Sequence, residues 1–355
     1  MMESLARDPV GAASAYRRRT HRRVLVLSAI GLALLGSLCL DVATGPGGFG
    51  LHQVLSVLAD PGAEGPQLRI IVWDLRLPIA LMAVLVGAML GAAGAEMQTI
   101  LNNPLADPFT LGISSAAAFG AALAIVMGAE LVPIGSEALV TVNAFLFALL
   151  TAYLLYLLTR LRGATSETMV LLGIALMFTF NALLSLLQYA ASDVQLMQIV
   201  FWMMGSLSRA SWDKLAICAL VLVLVVPYFL SRGWALTALR LGDERAASLG
   251  IDAQRLRLTV LLGVSLLAAT AVSFVGTIGF VGLVGPHIAR LVVGEDQRFF
   301  LPLSMLAGAL MMSLTSILSK SITPGVIYPV GIITALIGIP FFVSLVLSVR
   351  RRNWQ

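Results

Sequence analysis

The sequence predicts an all-α polytopic membrane protein of about ten transmembrane helices with both termini cytoplasmic, and three observations carry that prediction. Of its 355 residues 59% are hydrophobic and only 12% charged, about half the charged share of an ordinary soluble domain. Apolar runs of about 17–25 residues recur along the whole chain, each long enough to cross a hydrocarbon core about 30 Å thick. These runs are apolar on every face and do not alternate over about ten residues, so helices are expected and barrel strands are not.

Taken in order, ten spans follow, with boundaries good to about four residues. The first, about 24–41, comes after the basic AYRRRTHRR; its apolar part is long for a signal peptide and no AxA site follows it. The second, about 77–101, opens at RLP and carries Gly87 and Gly91 at a spacing that permits close helix contact. It also carries Glu96, either an ion or proton site or a carboxylate snorkelling to the interface. The stretch NNPLADP then breaks the pattern: Pro104 and Pro108 disfavour helix before them, and Asp107 or Thr110 can cap the third span, about 111–128.

Span four, about 138–159, ends at Arg160 and Arg162. Span five, about 168–191, places Asn181, Ser185 and Gln188 on one face, as an interhelical seam or a pathway wall. After span six (about 215–231) comes a polar stretch, 232–257, too long for a tether and suited to two short helices ended by Gly242 and Gly250. Spans seven and eight, about 256–275 and 278–294, are nearly continuous, with Gly276, Gly279, Gly282 and Gly285 allowing a turn or tight packing. Spans nine and ten cover about 301–319 and 330–349.

The chain therefore divides into a basic cytoplasmic segment (1–23), one transmembrane domain (24–350) with the cytoplasmic loop 232–257, and a short cytoplasmic tail (351–355). With the N-terminus inside, 18 of the 23 Lys and Arg residues fall on cytoplasmic segments, leaving Arg69, Arg76, Arg209, Lys214 and Lys320 outside. The net charge of +5 thus records topology and gives no reason to expect nucleic acid.

Several chemistries have no residues to support them. Cys39 and Cys218 lie in apolar runs as small core residues, and His21, His52 and His287 are far apart, so no metal centre is legible. Neither lysine sits in GxxxxGK[ST], and GPGGFG (45–50) lacks the strand–turn–helix context of a nucleotide site. No HExxH or GxSxG occurs, so no catalytic residues are assigned. Ionisable groups are nearly missing from the spans, so the driving energy is expected to enter elsewhere.

LRLPI (75–79), GAMLGAAGAEMQTILNNPLADPFTLGISS (87–115), FWMMGSL (201–207), LTALRLGDERAASLG (236–250), SFVGTIGFVGLVGPHIARLVVGEDQRFFLP (273–302) and PVGIITALIGIP (329–340) resemble, in unbroken order, the FecCD-type permeases. These are membrane subunits of ABC importers for ferric siderophores, haem and cobalamin. The resemblance implies a homodimer of ten-helix subunits in the bacterial cytoplasmic membrane. It further implies two ATPase subunits inside and a periplasmic or lipid-anchored binding protein outside. No cofactor is expected on this chain; ATP-Mg is used by the ATPase.

By position the resemblance implies that Asn103, Leu105, Thr165 and Ser166 form the cytoplasmic gate. It assigns coupling to the ATPase to Leu239, Arg240, Gly242, Asp243, Glu244, Arg245, Leu249 and Gly250, with Arg240, Asp243, Glu244 and Arg245 as preferred contacts. Arg76 and Lys320 match cations that meet the binding protein. Asn181, Ser185 and Gln188 are the expected pathway lining, and His287 is expected to be structural. The chain departs from the family pattern at Ile79, Ser316 and Ile327, where Arg, Asp and Glu are usual. The expected function is an importer subunit for an iron chelate, ferric siderophore or haem. Cobalamin is the nearest alternative, and a gradient-driven carrier dependent on Glu96 represents another class.

Overall fold

In lipid a spanning backbone must satisfy its own hydrogen bonds, and the computed structural model of this chain is accordingly helical. It describes residues 9–63, 65–128, 136–162, 165–323 and 325–352. The outermost parts of the expected cytoplasmic segments, 1–8 and 353–355, lie outside the described residues.

The chain begins with α1 (Pro9–Ala43) and a short amphipathic α2 (Leu51–Ala59). Next, α3 (Pro66–Arg69) runs through a π-helical stretch, Ile70–Arg76, into α4 (Leu77–Ile100). Then follow α5 (Ile113–Met127), α6 (Ser136–Arg162), α7 (Ser166–Ala190), α8 (Asp193–Met203) and α9 (Trp212–Ser231). The polar stretch folds as α10 (Gly233–Leu239) and α11 (Asp243–Ser248), with Gly242 and Gly250 both at positive φ. The last four are α12 (Ala253–Val275), α13 (Val281–Val293), α14 (Gln297–Ser321) and α15 (Val330–Arg352).

Every expected span corresponds to a helix. Among the described residues seven helical stretches are long and apolar enough to cross a membrane, while α5, α13 and the apolar part of α15 are shorter. The near-continuous pair α12–α13 breaks at Gly276 (φ +83°), and Phe280 holds a left-handed φ of 70° at the entry to α13.

The core lies along α4, α12 and α14, which are mostly buried, whereas α1 and α7 are largely exposed at the periphery. Small residues set the closest crossing. A Cβ on Gly87 would meet the backbone of Gly308 and Ala309, and one on Gly91 the backbone of Ser304. On Gly94 it would collide with the backbone of Gly282. The expected close packing of span two is therefore present, extended by one turn, and its partners are α13 and α14.

Two ends of the bundle follow. We call inner the end with residues 98–112 and α10–α11, and outer the end with α2, α3 and residues 204–211, after the charge asymmetry of the sequence. Outer loops rest on a small apolar cluster of Val42, Val54, Val57, Leu68, Val72 and Ala80. Cys218 is buried beside the sulfur of Met82 as expected, but Cys39 lies on the exposed face of α1.

Candidate functional site at the inner end

A helix leaves its last carbonyls unpaired, and at the end of α4 the chain satisfies them with arginine. Arg240, just after α10, donates to the Gln98 carbonyl at 3.2 Å and pairs with Glu295. Arg257, in the first turns of α12, donates Nε to the Ile100 carbonyl at 2.8 Å. Its two terminal nitrogens grip Asp243 of α11 in a fork, at 2.7 and 2.6 Å. Arg290 of α13 donates to the Gln98 side chain at 2.7 Å and sits 3.1 Å from Glu295. Between them, Gln297 donates to the Thr99 hydroxyl at 2.8 Å. Cations at a helix C-terminus also oppose its dipole. Three consecutive residues, Gln98 to Ile100, are thus tied to α10, α11, α12, α13 and α14.

These ties divide the expected coupling residues. Leu239 is buried, Arg240 faces inward, and Asp243 is occupied by Arg257, whose hydrogen bonds hold its carboxyl below the usual carboxylate range against the opposing effect of burial. Arg240 is thus engaged internally, as a guanidinium next to unpaired helix carbonyls, while Asp243 holds Arg257 and keeps about half of its side chain exposed (53%). Glu244, Arg245, Leu249 and Gly250 are exposed, as is Leu241. The outward face of α11 and its flanks is therefore short, mixed and apolar-edged, with Gly242 setting the turn between the two helices.

Directly after the tied residues comes the loop 101–112. Asn102 takes a left-handed φ of 46°, the Asn103 carboxamide oxygen accepts from Leu105 N–H at 3.0 Å, and Ala106 N–H returns to the Asn103 carbonyl. Asp107 accepts from Phe109 N–H at 3.2 Å and is packed against Gly282, where a Cβ would approach its carboxylate to 2.9 Å. Burial pushes the Asp107 carboxyl up to about 6, while the Phe109 bond pulls it the other way. Neither Asp107 nor Thr110 caps α5; Gly112 does, at φ 83°, so both polar residues serve the turn itself. Leu105 and Phe109 are left exposed.

Thr165 is the N-cap of α7, accepting from Thr168 N–H at 3.2 Å, and Ser166 begins that helix. The end of the loop packs on α7, where a Cβ on Gly112 would meet the Met177 backbone. Of the expected gate residues, Asn103 shapes its turn, Leu105 projects, and Thr165 and Ser166 stand at the start of the helix against which the loop ends. On α7, Asn181 and Ser185 are exposed and Gln188 half-buried; Ser185 bonds only back to the Asn181 carbonyl at 3.0 Å.

At the outer end the two expected docking cations are both buried within this chain. Arg76 is buried and donates to the carbonyls of Val42, Ala43, Gly45 and Pro46, lying over the Phe49 ring. The GPGGFG segment is therefore a collar around this guanidinium. Lys320 is buried against Asp41, which also accepts from Ser316 at 2.9 Å. Both cations are consumed inside the chain, because a buried charge needs a partner.

Glu96 is fully buried, and neither oxygen has a partner among the described residues; it is not a snorkelling carboxylate. His287 packs edge-on to Phe341 at 5.5 Å, a structural placement. Among the described residues no three His, Cys, Asp or Glu cluster as metal ligands.

The sequence reading missed Arg257, Arg290, Gln98 and Glu295. The first two were counted only as positive-inside residues; their position at span ends, opposite the end of α4, was the available signal.

Comparison with known proteins places this geometry. A model of the FecCD transport family matches residues 32–348. A Methanocaldococcus jannaschii protein classed as an ABC transporter permease is 39% identical over 344 residues, covering 95% of this chain and 98% of its own. The hemin transport system permease protein of Yersinia pestis is 34% identical over 331 residues, covering 93% and 95%. A solved inward-facing transporter classed as of the metal-chelate ABC type superposes with a TM-score of 0.80 at 32% identity, covering 91% of this chain and 99% of that one.

Proposed function

The chain belongs to the FecCD transport family, as the membrane-spanning permease subunit of an ABC importer, and from that premise we propose that it moves an iron chelate, ferric siderophore or haem, across a bacterial cytoplasmic membrane. The haem-permease relative and the metal-chelate type structure support this cargo class. The working unit is a homodimer with two ATPase subunits at the inner end and a substrate-binding protein at the outer end. A two-fold axis then yields one pathway between copies, with Asn181, Ser185 and Gln188 of α7 on its wall.

One observation carries the mechanism: Arg257 holds Asp243 and the Ile100 carbonyl at once. The ATPase contacts Glu244, Arg245 and Leu249 on the exposed face of α11. When ATP draws the ATPases together, α11 moves, and Arg257 transmits that displacement to the last turn of α4. The loop that starts one residue later carries Asn103 and Leu105, so the gate shifts with it. Chemistry stays in the ATPase; this chain converts its motion into access.

The test is purification of the tagged chain from its own membranes in mild detergent under iron limitation, with quantitative mass spectrometry of what accompanies it. An ATPase at one-to-one stoichiometry is expected, and Glu244→Ala with Arg245→Ala should lower its recovery. A stable complex without any ATPase sinks the proposal and returns the question to a gradient-driven carrier using Glu96. Uptake of ferric chelate against cobalamin by the reconstituted complex then decides the cargo.

A further inference from the structure

At the outer end, a cavity of about 800 Å³ lies between the end of α5, the start of α6, α8 and residues 205–209 and 327–329. That is the size range of small-molecule sites. Phe201 and Met197 supply apolar wall, and Glu137, Gln198, Ser206 and Arg209 are polar residues of the lining. Arg209 and Trp202 both line the cavity, the guanidinium 5.9 Å from the centre of the indole ring. The Arg209 Nε and Nη2 groups and the Trp202 Nε1 group are buried donors that no acceptor meets among the described residues.

A buried donor without an acceptor is costly, and a guanidinium cannot relieve the cost by losing its proton. Glu137 is the one carboxylate among the residues lining the cavity, and Lys214 engages it at 2.6 Å while also donating to the Arg209 carbonyl at 2.8 Å. Arg209, Lys214 and Glu137 together leave one net positive charge. Three N–H donors without acceptors, on two residues that line the cavity, and one net positive charge describe a receptor for an anion. Arg76 and Lys320, the other outer cations in the described core, are both satisfied internally; Arg209 is not.

We propose that this cavity is an anion-binding subsite for the cargo, in which the Arg209 fork and the Trp202 indole N–H take a carboxylate or phenolate oxygen group of the incoming metal chelate. The assignment rests on the importer reading above and adds a charge preference to it. The fork geometry suits two oxygens at once, and the aromatic wall suits the chelate's organic skeleton.

The test uses the full chain in phosphatidylcholine nanodiscs and three radio-iron probes: ferric citrate, a ferric tris(catecholate) and an uncharged ferric tris(hydroxamate). At least one anionic probe should bind, with Arg209→Gln weakening it about tenfold or more, as loss of a charged hydrogen-bond pair does. Arg209→Lys should retain part of the affinity, because it keeps charge without the fork. Glu137→Gln should strengthen binding, and the uncharged probe should respond to none of these changes. Co-elution of each variant with its ATPase partner checks folding.

Three results overturn the subsite: no anionic probe binds the wild type, Arg209→Gln binds as the wild type does, or phosphatidylglycerol in the nanodisc abolishes binding. The last assigns Arg209 to a lipid headgroup. ATP-driven uptake by the complete wild-type complex separates the two levels. If no chelate is transported the importer reading fails, whereas transport with an indifferent Arg209 removes the subsite alone.

Discussion

The outer end of α4 is fastened by Arg76, which donates to four backbone carbonyls of residues 42–46. The inner end is fastened by Arg240 and Arg257, which donate to the carbonyls of Gln98 and Ile100. The donor chemistry is the same, but the second partners differ. Arg76 meets only neutral groups of its own neighbourhood, and the adjacent Lys320–Asp41 pair is almost wholly buried. Each inner arginine has its other hand on a carboxylate, Glu295 or Asp243, whose side chain is about half exposed (42% and 53%). Buried pairs exchange partners only at high cost, whereas half-exposed ones can be traded for water. In the coupling proposed above, the outer end serves as an anchor and the inner end as a lever, distinguished by where the carboxylates sit.

The largest effect should come from breaking the anchor. Asp41→Ala leaves Lys320 charged and buried, a change that costs about 3–5 kcal/mol. Thermal unfolding of the purified chain should show it as a clear loss of Tm. Asp41→Ala combined with Lys320→Met should regain most of that loss, because the orphaned charge is gone. Whatever folds should still couple ATP hydrolysis to uptake normally. An unchanged Tm for Asp41→Ala would remove the anchor from this comparison.

A lever should behave in the opposite way. Arg257→Gln gives up the fork to Asp243, a partly exposed pair, and the bond to the Ile100 carbonyl, so its stability cost should be about 2 kcal/mol. Its functional cost should be greater: ATP-driven uptake down about tenfold while ATP hydrolysis continues. Asp243→Asn should follow the same course, and the double variant should be no worse than Arg257→Gln alone, as expected of residues acting in series. Additive losses would mean that α11 and α4 are not linked through this arginine.

The spanning helices were legible because lipid leaves the backbone few options: length and apolarity located all but the first to within about four residues, whereas α1 begins fifteen residues before its expected start and the short α2, α3 and α8 were not anticipated. Gly87 and Gly91 were legible for the same reason, since close crossings need small residues. Residues 232–257 read as two short helices because Gly242 and Gly250 stop them. Which way the charges face was not legible. Arg76, Lys320, Arg240 and Asp243 were all expected to face partners; each also holds a partner inside the chain, and of the four only Asp243 keeps half of its side chain exposed. Composition counts a cation without revealing the carbonyl or carboxylate that another helix brings to it. Ser316 shows the converse: a position with no charge of its own still meets a carboxylate, because its hydroxyl donates to Asp41 of α1, the partner of Lys320.

The smallest effect concerns the loop that the lever moves. Asp107 is buried against Gly282, and burial pushes its carboxyl up to about 6 from an ordinary 3.8. A carboxyl raised in the folded state holds its proton more tightly there than in the unfolded chain. Its contribution therefore favours folding at low pH and is lost as pH rises from about 4 through about 6. Between pH 5 and pH 7 that loss comes to about 1 kcal/mol. Thermal unfolding at the two pH values should show the wild type falling by this amount relative to Asp107→Asn, which keeps the turn's acceptor without the charge. The ionised form loosens the loop and does not affect the outer anchor, so hydrogen exchange of amides 101–112 should rise between these values more in the wild type than in Asp107→Asn, with exchange around Arg76 unaffected. Equal pH dependence in the two proteins would show that Asp107 does not titrate in this window, and the loop would then be set in motion by Arg257 alone.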